Sequence, residues 1–492
     1  MVETDATRSA AAEHSPIRRP RLLVAGLSIV VLTVAVLQTA VVPVIGVIAD
    51  QLDVSTVAVS WTVTANLLAA AAATPLLGRL ADLHSKKRVL VAVLIVVLIG
   101  SVLAAVTSSL PLLIAARVLQ AASFALYPIS VAVLREELAR ERLMPAMAVM
   151  SGTLGFGGGV GLVVVGLLMA GDAGYHRVFW LTTAFTVLVL AIVVLIVPAR
   201  PRRVVGTIDW LGAAGLAAGL SAVLLAVTQG NSWGWASPAT IGSAASGLGV
   251  LVGWWVWERR TRHPLVSIEM LTRRPIMLTN LATIFVGMGL YFAFLGLTQF
   301  VQIPRDAAGY GFGATVLEAS VVYLLPGALA GFLIAVLSGR FVDRFGARPV
   351  LMVAALAGIA GFLFIALAHS ASWQVVVAGI LANIYISLGY GALPALIVSE
   401  VDAGETGVAT GMNAIARTIG SSTAAAVVAV LLSRMVAGTG VPVESSFVAI
   451  FVGGATTAAL AMGLIALSRP RPRTMESVEA RCESRAMNHE WG

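Results

Sequence analysis

GRLADLHSKKR (residues 78–88) and GRFVDRFGAR (residues 339–348) carry one short pattern 261 residues apart. Each places a Gly, then an Asp four residues on, then a basic cluster. Each sits between two apolar stretches of the length that crosses a membrane, about 20 residues. A pattern repeated at this separation divides the chain into two related halves. Gly permits a tight turn and a close helix approach. Asp82 or Asp343 beside a basic cluster can form a polar link between helices. The alternative is that Lys86, Lys87 and Arg88 merely anchor the topology.

Outward from these loops, fourteen apolar stretches are read as spanning helices. They lie near 22–48, 57–77, 89–108, 111–134, 145–170, 177–198, 208–229, 239–257, 276–300, 316–338, 348–368, 373–397, 408–433 and 447–467. Composition agrees. Hydrophobic residues make up 59% of the 492 and charged residues 11%, against about 25% charged in a soluble domain. The stretches are too long for barrel strands and lack their alternation. The first apolar run is too long for a signal peptide and is expected to remain as a helix. A single Cys, Cys482, excludes a disulfide framework and a Cys-based metal site.

The net charge of +8 is a topology signal. With the N-terminus cytoplasmic, the cytoplasmic segments hold 27 of the 32 Lys and Arg, and the outer loops hold Arg177, Arg305 and Arg434. By the positive-inside rule both termini are expected in the cytoplasm of a multi-pass cell-membrane protein. Nucleic acid is not an expected partner.

Two halves of six helices with two helices between them form a parallel-repeat architecture. The expected division is 1–21 as a tail, 22–198 as the N-terminal bundle, and 199–275 as a linker with two inserted helices. The C-terminal bundle is 276–467 and the second tail 468–492. In these residues the chain resembles the major facilitator superfamily, and specifically its fourteen-helix drug:proton antiporter branch. The family's loop motif G-x-L-x-D-R-x-G-R-K is matched by Gly78, Leu80, Asp82, Lys86 and Lys87, with departures at Leu83 and Ser85. The second copy keeps Gly339, Asp343, Arg344, Gly346 and Arg348. The resemblance implies an all-α membrane protein with the major facilitator fold and fourteen transmembrane helices.

A charge inside a span is costly and marks function by default. Arg117 and Gln120 match the family's helix-4 motif R-x-x-Q-G, with Ala121 in place of Gly. The resemblance implies that Arg117 takes part in proton coupling; a structural Arg reaching the interface is the alternative. Arg417, in GMNAIARTIG (411–420), joins the latch set Gly78, Asp82, Lys86, Gly339, Asp343 and Arg344 or serves function. Helix 5 carries Gly155, Gly159, Gly161 and Gly166, read as packing positions where helices approach closely. Leu162 stands where the family's G-P-x-x-G-G has Pro. Gln38 stands where the family's first helix has Asp, so a titrating, cation-attracting group is missing there.

Proton-carrying carboxylates are few. Glu318 at the start of helix 10 is the leading candidate, expected to face a central cavity, and Asp50 at the outer end of helix 1 is a further candidate. An interfacial carboxylate stabilised by the helix dipole is the alternative for Glu318. Gln38, Gln120, Asn66, Tyr127, Tyr291 and Asn383 are expected to line the substrate cavity.

No G-x-x-x-x-G-K-[ST] occurs, so no nucleotide cofactor is expected and an ion gradient must supply the energy. The resulting expectation is a monomeric proton-coupled antiporter that exports small amphipathic compounds. A facilitator or exporter of a specific lipid-like metabolite, with weak or no proton coupling, is the alternative. An enzyme is not expected, since the outer loops are short and poor in carboxylates and metal ligands.

Overall fold

The structure, a computed structural model, describes residues 20–41, 44–169, 174–200, 207–262, 264–436 and 441–468. The tails 1–19 and 469–492 lie outside the described residues, as do the side chains at Gly155, Gly159, Leu162 and Asp343. Apart from an isolated bridge between Met435 and Pro442, the described secondary structure is helical.

The long helices of the first half are α1 (Pro20–Thr39), α2 (Thr56–Leu83), α3 (Lys86–Val106), α4 (Leu110–Glu137), α5 (Arg140–Leu168) and α6 (His176–Ile196). An inserted hairpin follows, α7 (Trp210–Trp233) and α8 (Pro238–Arg260). The second half holds α9 (Arg274–Gln302), α10 (316–345), α11 (Ala347–Leu367), α12 (Ser372–Glu400), α13 (Thr406–Leu432) and α14 (Glu444–Leu467). Among the described residues, thirteen helices are long and apolar enough to cross a membrane. α5, with 29 residues, has the length as well, and it completes the fourteen expected spans.

Local chemistry sets the ends. Ser55, Asp209, Ser237 and Ser267 each accept a backbone N–H in the first turn of the helix that follows, satisfying donors that the helix leaves orphaned. α1 stops at Thr39, short of the expected 48, and a separate short helix runs Ile45–Leu52. Pro43, between them in the sequence, lies outside the described residues. α4 is interrupted by a 3₁₀ segment, Ala121–Ala125, directly after Gln120. α10 opens with a π-helical segment, Ala319–Leu324, just before Pro326.

The two loop-motif copies turn differently. Gly346 alone separates α10 from α11, with φ +83°, a conformation that Gly adopts without strain. The first copy uses two extended residues, His84 and Ser85, at φ −126° and −63°. Ser85 therefore stands where a Gly is not required.

α1, α5 and α6 pack together in the first half, and α9, α13 and α14 in the second. The halves meet chiefly along α5–α10 and α2–α13, with α5 also against α12. The inserted hairpin sits at the rim, with α7 against α2 and α13. Only 17% of the α8 span is buried, against 67% of α4 and α12. Large apolar side chains cover the outer flanks, among them Leu195, Trp210, Val252 and Leu367, as a bilayer requires of a multi-pass protein.

Candidate functional site

Lys86, Lys87, Arg88, Arg200, Arg259, Arg260, Arg273, Arg274 and Arg348 sit at or near helix ends on one side of the bundle, called here the basic face. There the halves are joined. Asp82, 3% exposed, accepts from the backbone N–H of Gly407 and of Val408, both at 3.0 Å. It caps, from the first half, the N-terminus of a helix in the second, where the helix dipole favours an anion. A Cβ on Gly78 would meet the Gly407 carbonyl oxygen at 2.7 Å, so both glycines are needed for this approach. On the other seam a Cβ on Gly339 would meet Pro145 Cα at 2.6 Å. The end of α2 thus meets the start of α13 as the end of α10 meets the start of α5.

Arg135 adds a second tie. It donates to the carbonyls of Val401 (2.6 Å) and Asp402 (3.2 Å) and to Thr406 Oγ1 (2.6 Å), across the α12–α13 turn. Its neighbours hold the first half together: Glu136 pairs with Lys86, and Glu137 takes a two-pronged bond from Arg200 at 2.7 and 3.0 Å. Hydrogen bonding to Glu137 pushes the Arg200 guanidinium further up. Arg135 was not singled out in the sequence; its only signal is the Arg-Glu-Glu run closing α4.

Arg117 is 2% exposed. Its guanidinium donates to the Thr62 carbonyl (3.3 Å), the Leu37 carbonyl (3.1 Å) and Gln120 Oε1 (2.7 Å). Gln120 in turn donates to Ser101 Oγ (3.0 Å), and Asn66 donates to the Arg117 carbonyl (2.7 Å). The network lies inside the first half and no ion pair among the described residues includes Arg117.

A second constellation lies between the halves. The Arg417 guanidinium stands over the rings of Tyr390 (4.8 Å to the centroid) and Tyr127 (5.4 Å). Tyr127 bonds Ser151 Oγ at 2.8 Å and reaches the Tyr390 carbonyl at 3.5 Å. One turn below, Asn413 donates to Asn280 Oδ1 (3.0 Å) and Thr283 Oγ1 (2.7 Å), which fixes the rotation of α13 against α9. Arg417, Tyr127 and Tyr390 are ten or eleven residues from the basic-face ends of α13, α4 and α12, about 15 Å at the helical rise. That is near the middle of a hydrocarbon layer about 30 Å thick.

Other expected site residues fall elsewhere. Glu318 does not face the interior: it is exposed and accepts from the Thr315 N–H (2.9 Å) and hydroxyl (3.0 Å). Those bonds hold its carboxyl below the usual carboxylate range, the reverse of the desolvation expected for a proton site. Asp50 is exposed on the short helix, and Arg117, Glu318 and Asp50 are not brought together. Gln120 and Asn66 are buried in the Arg117 network inside the first half. Asn383 donates to Gly379 (2.9 Å) and packs on Gly327 inside the second half. Gln38 and Tyr291 remain half-buried. Arg417 lies too deep to belong to the basic-face latch, and Arg344 stands over the neighbouring Phe345 ring (5.3 Å) at an exposed helix end. Of the packing glycines, Gly161 abuts Thr39 and Val36 of α1, and Gly166 faces Leu317 of α10.

The profile of the Major Facilitator Superfamily matches residues 27–425 and 312–481. The chain belongs to the Major Facilitator Superfamily. Among its relatives in the superfamily are transporters with different cargoes in their names. The uridine/deoxyuridine transporter of Lactococcus lactis subsp. cremoris is 29% identical over 64% of this chain and 66% of that one. The multidrug resistance protein B homolog of Mycobacterium tuberculosis (H37Rv) is 26% identical over 68% and 62%. The tetracenomycin C resistance and export protein of Streptomyces glaucescens is 26% identical over 79% and 71%. The chain thus spans about two thirds of the length of these relatives. Among solved structures, the human organic anion transporter MFSD10 (TETRAN) superposes with a TM-score of 0.63 at 14% identity, over 91% of this chain and 100% of that one; this likeness concerns the fold. The superfamily and the relatives named here are transporters, not enzymes, and this chain, with its long apolar helices, is a multi-pass membrane protein of that superfamily.

Proposed function

We propose that this superfamily member is a secondary transporter of the cell membrane, with cytoplasmic termini, that exports small amphipathic compounds in exchange for protons by alternating access. The observation that carries the reading is the pair of equivalent seams, Gly78 on Gly407 and Gly339 on Pro145. Elements related by the internal repeat close the basic face together, as a rocking mechanism around a central site requires. The closed face is the one that its Lys and Arg assign to the cytoplasm. Relatives named for drug resistance and for tetracenomycin C export favour export.

One observation favours a second reading, transport with weak or no proton coupling. Every Asp and Glu of the fourteen long helices lies within three residues of a helix end. No carboxylate therefore sits where a mid-membrane proton site would be. Proteoliposomes with a pH-sensitive dye and an acid interior separate the two. Compound-dependent collapse of the gradient supports exchange; substrate movement that is indifferent to an uncoupler supports the second reading.

A further inference from the structure

The membrane interior of this protein is electropositive. Its long helices place no carboxylate beyond three residues from an end, while Arg117 and Arg417 lie deep within α4 and α13. The two cations differ in what they are free to do. Arg117 is fully enclosed, with three acceptors and the carbonyl end of α1 around it. Arg417 is half-buried, and no ion pair among the described residues includes it. Its neighbours at the seam are the two tyrosine rings, one from each half.

Aromatic faces attract a guanidinium but offer no lone pairs to the N–H groups that lie in its own plane. Five donors in a planar fork match a carboxylate or a phosphate, and of the two the singly charged carboxylate costs less to desolvate at mid-depth. The position is at mid-depth and between the halves, where substrates of repeat-built transporters are held. We infer that Arg417, flanked by Tyr127 and Tyr390, seats the carboxylate of an anionic amphipathic substrate, so that the cargo is an organic acid and not a lipophilic cation. The rings exclude water around the salt link and stack with an aromatic or flat apolar body. Because Tyr127 and Tyr390 come from opposite halves, a bound anion also touches both sides of the rocking seam. Gln38, in place of the expected Asp, fits the same reading: it adds no negative charge to repel the acid.

This assignment rests on the transporter reading but not on proton coupling, and its test uses no gradient. Purified full-length protein is immobilised in neutral detergent, and binding of tritiated naphthalene-1-acetate, naphthalene-1-acetamide and naphthalene-1-ethylamine is measured by scintillation proximity. The same three head groups on a decyl chain form a second set. The expected result is that at least one carboxylate binds about tenfold or more tightly than its amide and amine partners. Arg417→Gln abolishes that preference, and Arg417→Lys, which keeps the charge, retains part of it. Tyr390→Leu weakens the naphthalene acid more than the decyl acid. If Arg417→Gln does not yield monodisperse protein, the Arg417→Lys and Tyr390→Leu comparisons decide. Equal or tighter binding of the amines, preference for the acid that survives Arg417→Gln, or no binding in either set overturns the inference. Acid binding without proton movement in proteoliposomes would leave this inference standing and remove the coupling; amine-driven proton movement would do the reverse.

Discussion

Arg117 Nη1 donates to the Leu37 carbonyl at 3.1 Å, two residues before α1 stops at Thr39. The break leaves the Leu37 carbonyl, at the negative end of the helix dipole, to accept from a side chain. A buried guanidinium is thus accommodated without a carboxylate. Arg117→Met should remove the donors to Leu37, Thr62 and Gln120 together. Each buried acceptor left unpartnered costs about 1–3 kcal/mol, so a large fall in melting temperature in detergent is expected. Arg117→Lys should recover little, because an ammonium lacks the planar fork. An unchanged melting temperature for Arg117→Met would show that these bonds do not hold α1, α2 and α4 together.

Asp82→Asn keeps an acceptor for one of the two α13 N–H groups but loses the charge that the helix terminus favours. Charge-assisted bonds contribute about 1.5–3 kcal/mol, equivalent to a ten- to hundredfold change in the balance of closed and open states. Spin labels at Arg88 and Arg344, both exposed on the basic face, read that balance in a Cys482→Ser background. The distance distribution should move to longer values in Asp82→Asn. An identical distribution would assign Asp82 to local stability alone.

Gly407→Val and Gly339→Val test the two seams separately. A side chain at Gly407 meets the Gly78 carbonyl and Asp82 Oδ1, both at 2.7 Å, and one at Gly339 meets Pro145. Both contacts are with backbone or with a held carboxylate, so neither can yield cheaply. Each variant should fold, since each half keeps its own core, and each should fail to close the basic face. Labels at Arg88 and Arg344 would then report an open distance in both. A closed distance in either would show that its seam tolerates separation.

Much of the fold was legible because a bilayer leaves few choices. Fourteen apolar runs and a repeated turn specify fourteen helices in two halves. The latch was legible in part: Asp82 recurs with its loop, but nothing in the sequence tells that its partners are backbone groups 325 and 326 residues away. Two of the residues expected at the cavity, Asn66 and Gln120, are drawn inside the first half for a physical reason. Polar residues in a span must be satisfied somewhere, and Asn66 and Gln120 are satisfied by Arg117 within their own half. Helix rotation decides this, and the helices here have polar groups too sparse to show it. Glu318 misled because proximity to an apolar run is not burial: Thr315 and solvent account for it. On that ground Glu318→Gln should leave transport within about twofold of the parent protein, as expected for an exposed residue away from special features. A loss comparable to that of a substrate-site variant would restore it as a proton carrier.

Glu405 closes the turn before α13 and offers a pH-dependent prediction. Burial pushes its carboxyl up, aided by Asp402 and Glu269 and opposed by Arg273 and Arg79. An acid raised on folding binds its proton more tightly in the folded state, so the folded state is favoured at low pH. That contribution is complete below the ordinary carboxylate range and is lost as pH rises through the raised folded value. Glu405 also lines a cavity of about 200 Å³ with Arg79, Arg262 and Ser267, beside Val408, so its ionisation bears on the helix end that Asp82 caps. The thermal stability of the purified protein should therefore decline as pH rises out of the carboxylate range, and Glu405→Gln should flatten that part of the profile while leaving the rest unchanged. A variant profile parallel to that of the parent would assign the slope to another group. A profile that rises over the same window would contradict the sign argued here and would mean that Arg79 and Arg273 outweigh burial.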